Sequence, residues 1–184
     1  MTNTTTPQGV QTVIKLADLM KPPAPKPERF VLSDEERHEI EHELTHYPDS
    51  RAASIEALKI VQKHRGWVSD EAIPVIADMV SISAADLEGV ATFYNLIFRQ
   101  PVGRHVIKVC DSISCHLTGY DELRDALIQQ LGVKLGGTTP DMRFTLLPIC
   151  CLGACDRGAC LMIDDDLHGP IEPAQVKAML EAYQ

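Results

Sequence analysis

No stretch of the 184-residue chain approaches the roughly 18 uninterrupted apolar residues of a membrane-spanning helix, so no insertion into a bilayer is expected. The N-terminus lacks the basic segment, apolar core and small-residue cleavage site of a secretory signal, and a cytosolic protein is expected. Basic surface is also missing. With 17 Lys and Arg against 26 Asp and Glu the net charge is −9, which excludes a patch able to displace counterions from nucleic-acid phosphates. There is no internal repeat and no dinucleotide-binding glycine fingerprint. What the chain has is concentrated: all six cysteines fall between Cys110 and Cys160. In a reducing compartment thiols stay reduced, so metal binding accounts for them better than a disulfide framework.

The chain length allows one or two modest cores. Residues 1–29 end in Lys21-Pro-Pro-Ala-Pro-Lys-Pro27, which precludes helix and predicts an extended tail, with Val13, Leu16 and Met20 at helical spacing within it. Residues 30–103 predict a small bundle of four short helices. The first opens on a Ser33–Glu36 capping box and runs to about Tyr47. The second spans about Arg51 to His64, with Ile55, Leu58 and Val61 inward and Gly66 ending it. The third is capped by Ser69, with Pro74 shifting its start or bending it, and the fourth begins near Ser83 and carries Leu87, Val90, Ala91, Tyr94 and Phe98.

Residues 104–184 change character. Val106, Ile107 and Val109 predict a buried strand that delivers Cys110 at its end. Gly119–Leu131 reads as a helix, Met142–Leu147 as a strand that Pro148 interrupts, Ala159–Ile163 as a third strand and Asp164–Asp166 as a turn. Pro173 opens a closing helix with Val176, Met179, Leu180 and Tyr183 on its apolar stripe. The expected fold class is α+β, the helical bundle being followed by a β-α-β-β-α unit whose cysteine loops follow strand ends.

Four thiolates hold either tetrahedral zinc or an iron–sulfur cluster. Zinc knuckles usually leave two residues between cysteines, whereas the gaps here are four, from Cys110 to Cys115, and three, from Cys151 to Cys155. Plant-type ferredoxins share the first gap but need a further cysteine where this chain has Thr118. Wider gaps favour a binuclear cluster, and a zinc-stapled interaction module is the alternative. Within the second group, Gly153 permits the tight backbone that brings amides to sulfur, which selects Cys151 and Cys155. Cys150 and Cys160 are expected to be bystanders, small buried hydrophobes.

The runs Arg51–Gln62 and Glu88-Gly-Val-Ala-Thr-Phe-Tyr94, the pair Cys110 and Cys115, and Phe144-Thr-Leu with Cys151-Leu-Gly-Ala-Cys155 resemble the small iron–sulfur (E) subunits of bacterial NADH:quinone oxidoreductase, respiratory complex I. The resemblance covers about residues 30–184. It implies a helical domain followed by a thioredoxin-like ferredoxin domain with one [2Fe–2S] cluster on Cys110, Cys115, Cys151 and Cys155. It further implies an electron-transfer role beside the flavoprotein subunit that binds NADH and FMN, in the peripheral arm of a proton-translocating complex on the cytoplasmic face of the inner membrane. The chain itself would be an electron carrier without an NADH site, and not an obligate homo-oligomer. The diaphorase part of an NAD-linked hydrogenase or formate dehydrogenase contains similar small subunits and is the second reading. Many family members have proline shortly after the second pair, where this chain has Ala159-Cys160.

Three other signals are set aside. His42-Glu43-Leu-Thr-His46 matches a zinc-protease pattern but lacks a third ligand and stands just before Pro48, so a solvated stripe is expected. His116 has the wrong spacing for a Rieske ligand and is expected to bond nearby backbone. Trp67, Phe93, Tyr94 and Phe98 are expected to pack in the core, a surface facing the partner being the alternative.

Overall fold

The computed structural model describes residues 30–184, so the expected tail and its amphipathic turn lie outside the described residues. Helix α1, Asp34–Leu44, starts at the Ser33 capping box: Ser33 Oγ accepts from the Glu36 amide at 3.1 Å and the Glu36 carboxylate accepts from the Ser33 amide at 2.7 Å. It stops three residues short of Tyr47. The Thr45 and His46 amides bond the carbonyls three residues back, and the Thr45 hydroxyl donates to the His42 carbonyl at 2.7 Å, closing the last turn. The next segment begins as a 3₁₀ turn, Ser50–Ala53, and continues as α2, Ser54–Arg65, which Gly66 ends in the left-handed conformation that glycine adopts without penalty. Leu58 and Val61 are buried as expected, together with Ala57 and Ile60, while Ile55 is only half-buried.

Helix α3, Ala72–Met79, starts three residues after Ser69, and this places Pro74 in the first turn, where its missing N–H loses no helical partner. Helix α4, Ala84–Phe93, is capped by Ser83, and its chain turns extended at Tyr94. The aromatic side chains there do not fill the core. Phe93 is 79% exposed and Tyr94 42%, because the helix ends before its period can bring them back to the inner face. Leu32, Ile40, Leu58, Val61, Ile76 and Leu87 pack this half. Against it lies one charged group: Glu36 is buried, and Arg65 closes on its carboxylate with contacts of 2.5 and 2.6 Å while also donating to the Val31 carbonyl.

The second half is a four-stranded mixed sheet in the order β2-β1-β3-β4, made of β1, His105–Cys110, β2, Phe144–Ile149, β3, Leu161–Ile163, and β4, Asp166–His168. β1 and β2 are parallel, whereas β3 runs antiparallel to β1 and β4 to β3. Short α5, Ile113–Leu117, and α6, Tyr120–Leu131, connect β1 to β2, and α7, Val176–Glu181, closes the chain after a 3₁₀ turn at Pro173. Ile107, Leu123, Leu127, Leu146, Leu161, Ile163 and Val176 form a second core, separate from the first.

Three expectations change here. Pro148 does not interrupt β2, which continues to Ile149. β2 is an edge strand, and the Leu146 amide points outward to the Gly137 carbonyl, so the proline nitrogen two residues later faces the same outer side and removes no bond to β1. Asp166 belongs to a fourth strand rather than the turn. The tight turn is Asp164-Asp165, in which Asp164 has φ +52°, accepts from the Val106 amide at 2.9 Å and lies 2.7 Å from His105 Nδ1. The third strand starts at Leu161, which leaves Cys160 immediately before it.

Candidate metal centre

Parallel pairing places Cys110 opposite Ile149, so both cysteine loops leave the same end of the sheet. Beyond the ladder the Asp111 amide bonds the Ile149 carbonyl at 3.0 Å, which keeps the two exits together. Cys110 closes β1 and is 2% exposed, and Cys115 sits on α5 and is 1% exposed. Sequence pattern carries no strong signal for α5, whose five residues are too few for a periodic stripe to stand out.

The second loop is open. Cys151 and Cys155 are exposed, and so is Cys150, contrary to the expectation that it is a small buried hydrophobe. It follows the edge strand β2, and no described residue covers it. Gly153 takes the left-handed conformation, φ +75°, and its amide donates to Cys151 Sγ at 3.3 Å. Further on, Gly158 passes over the end of α5 so closely that a Cβ there would meet Thr118 Oγ1 at 2.4 Å.

Cys160 is where the structure departs most from the sequence pattern. It is buried as expected, and it packs against the first pair: its carbonyl accepts from the Cys110 amide at 3.2 Å, and its sulfur lies 3.8 Å from Cys115 Sγ. The sulfurs of Cys110, Cys115 and Cys160 all lie within 4.8 Å of one another, a grouping that neither Cys151 nor Cys155 enters. The signal was present in part. Antiparallel pairing of Val109 with Leu161 brings the residue before β3 against the residue that ends β1, but the partner of a three-residue strand cannot be read from the strand itself.

The thiols differ in acidity. Burial alone pushes the Cys110 thiol up, but hydrogen bonds from Ser112 and from the Leu152 amide bring it down to about 7. At Cys160 burial, reinforced by the neighbouring Cys115, pushes the thiol up to about 12. A backbone amide aimed at sulfur, paired thiols on two converging loops and one thiol of lowered pKa fit an anionic iron–sulfur cluster.

His116 is exposed and leans on the Tyr120 ring, with Asp121 3.8 Å from Nδ1, rather than bonding backbone. His42, Glu43 and His46 place their ligating atoms within 4.8 Å of one another on the far helical half, in a largely exposed cluster.

A fold with thiols at the end of a β1–β2 pair, α-helical crossover and antiparallel β3–β4 hairpin defines a class, and a family model bears it out: residues 40–184 match the thioredoxin-like [2Fe-2S] ferredoxins, and the chain belongs to that family. Within it the chain is similar to the E subunit of NADH-quinone oxidoreductase from Pseudomonas aeruginosa, 62% identical over 156 residues that cover 85% of this chain and 94% of that protein. The corresponding E subunit from Escherichia coli K12 is 59% identical over 160 residues, 87% of this chain and 96% of that protein. Among solved structures, the NAD+-reducing [NiFe]-hydrogenase in its air-oxidized state shares the fold, with a TM-score of 0.61 and 21% identity over 71% of this chain, which spans about a fifth (22%) of that longer polypeptide. No helix among the described residues is long and apolar enough to cross a membrane.

Proposed function

We propose that this chain is the electron-transfer E subunit of a proton-translocating NADH-quinone oxidoreductase. It would exchange single electrons with the FMN of an adjacent NADH-binding flavoprotein, at the cytoplasmic face of the membrane. The observation that carries the reading is the exit of two thiol pairs from the same end of parallel β1 and β2. In this reading Cys110, Cys115, Cys151 and Cys155 hold one [2Fe–2S] cluster, residues 104–184 form the cluster domain and residues 30–103 a helical domain.

When bound, the cluster supplies one-electron chemistry that no side chain of the described residues offers. The chain's own residues do the rest. β1 and α5 hold one thiol pair in a buried, low-dielectric setting, and Ser112 and the Leu152 amide stabilise the Cys110 thiolate. Gly153 turns its amide onto Cys151, and the exposed second loop leaves one side of the site open to a partner.

Iron and acid-labile sulfide in anaerobically purified protein, with electron paramagnetic resonance after reduction, test the cofactor. Two irons and two sulfides per chain are expected; one zinc with no sulfide supports the zinc-stapled module instead, which the close grouping of Cys110, Cys115 and Cys160 favours. Serine at Cys110, Cys115, Cys151 or Cys155 is expected to lower iron content severely, and serine at Cys150 or Cys160 is not. Isolation of the native assembly tests the partner: a flavoprotein and membrane-arm subunits support the reading, whereas a nickel or molybdenum subunit places the chain in a hydrogenase or formate dehydrogenase diaphorase.

A further inference from the structure

The first cysteine pair has more sulfur around it than the proposed cluster uses. Cys110, Cys115 and Cys160 are 2%, 1% and 1% exposed, and all three sulfurs lie within 4.8 Å of one another. A binuclear cluster spreads its two thiol pairs across two irons, so it does not ask for three cysteines in one compact group. A single tetrahedral ion does. Zinc–sulfur bonds of about 2.3 Å put neighbouring thiolates about 3.8 Å apart, and the Cys115–Cys160 separation is 3.8 Å. The backbone also holds this group: Cys110 and Cys160 are joined by an amide-to-carbonyl bond at the paired ends of β1 and β3.

We propose that the cluster-free chain carries a mononuclear site for a thiophilic divalent cation, zinc being the type, on Cys110, Cys115 and Cys160, and that this site shares only Cys110 and Cys115 with the [2Fe–2S] cluster. The contrast with the cluster rests on the ligand set proposed above, but the zinc site itself rests on the three sulfurs. Binding replaces the three thiol protons with the cation, releasing the protons to solvent, and the fourth coordination position goes to water. The site is compact and buried where the second loop is open, so one sheet end offers two alternative ligand sets. Zinc that arrives before iron and sulfide then holds two of the four cysteines the cluster needs.

The test uses the full chain, stripped of metal anaerobically. Zinc and cobalt(II) are titrated into wild type, and cobalt reports thiolate coordination through its charge-transfer and tetrahedral ligand-field bands. One ion per chain is expected. Cys160→Ala is expected to weaken zinc binding at least tenfold while keeping iron and sulfide after reconstitution, and Cys160→Ser guards against a packing defect, with circular dichroism confirming the fold of each. Wild type preloaded with zinc is expected to reconstitute several-fold more slowly than metal-free protein, and Cys160→Ala is expected to escape that block. Zinc affinity unchanged in both Cys160 variants overturns the site. Loss of both zinc and iron in folded Cys160 variants overturns the separation of the two ligand sets. Cys155→Ser distinguishes the two readings: lost iron with retained zinc supports the separate sets, and retained iron overturns the cluster ligands proposed above while the zinc site stands or falls on Cys160→Ala.

Discussion

The helical half and the sheet half solve opposite problems. In α1 to α4 the polar groups near the core are satisfied by neighbours within a turn or by a helix packed alongside, as when Glu36 serves both the Ser33 amide and Arg65. In the sheet half the chain gathers thiols far apart in sequence, from Cys110 to Cys160, at one strand end and leaves three of the six exposed there. The helical half packs around an apolar core, and the sheet half gives up cover at one edge, where the thiols gather. Damage to the first should therefore lower stability and spare the centre, and damage to the second should lower both stability and cluster content.

The sharpest test pairs two leucines. Leu58→Ala and Leu146→Ala each empty a fully buried site and are expected to cost about 2–5 kcal/mol in denaturant unfolding. Only Leu146→Ala, on the strand that leads to the second loop, is expected also to lower iron content. Equal iron loss in both would break the comparison.

Next is the pair of buried Glu36 with partly exposed Arg65. Burial alone raises the Glu36 carboxyl, but the Arg65 hydrogen bonds and the Ser33 amide outweigh it and hold the carboxyl below its ordinary value of 4.5. A lowered folded-state pKa means that the stabilisation is present above about 4.5 and is lost as pH falls through the folded value. Glu36→Gln is expected to cost about 1–3 kcal/mol at pH 7 by removing the charge-assisted hydrogen bonds from Arg65, which is about a third exposed, and to flatten the pH dependence of the melting temperature below about pH 4.5 relative to wild type.

Smaller effects follow. Gly158→Ala forces a methyl against Thr118 Oγ1 and is expected to cost about 1–3 kcal/mol. The double variant with Thr118→Ala should recover part of this in a mutant cycle, and additivity would show that the two loops do not press on each other. Ser83→Ala removes the α4 cap and is expected to cost about 1 kcal/mol. Lys59→Ala, which loses an exposed pair with Glu56, should change the unfolding free energy by less than about 0.5 kcal/mol.

Local chemistry made much of this legible in advance. The Ser33–Glu36 box, Gly66, Ser83 and the Val106–Val109 run mark elements or their ends because each acts on backbone groups close to itself. The four-residue and three-residue cysteine gaps likewise mark two loops whose thiols are neighbours by covalent reach. β4, the uninterrupted passage of β2 through Pro148 and the exposure of Phe93 were not legible, because they depend on which strand is an edge and where a helix stops.

The sequence by itself determined the class of chain, the order of helix and strand, and the two cysteine pairs with glycine between the second. Tertiary structure alone decided that Cys160 stands beside Cys110 and Cys115 while Cys150 stands in solvent. The reason is register: only the pairing of β3 with β1 fixes which residue meets the strand end, and strand partners are chosen by the whole sheet rather than by the three residues of β3.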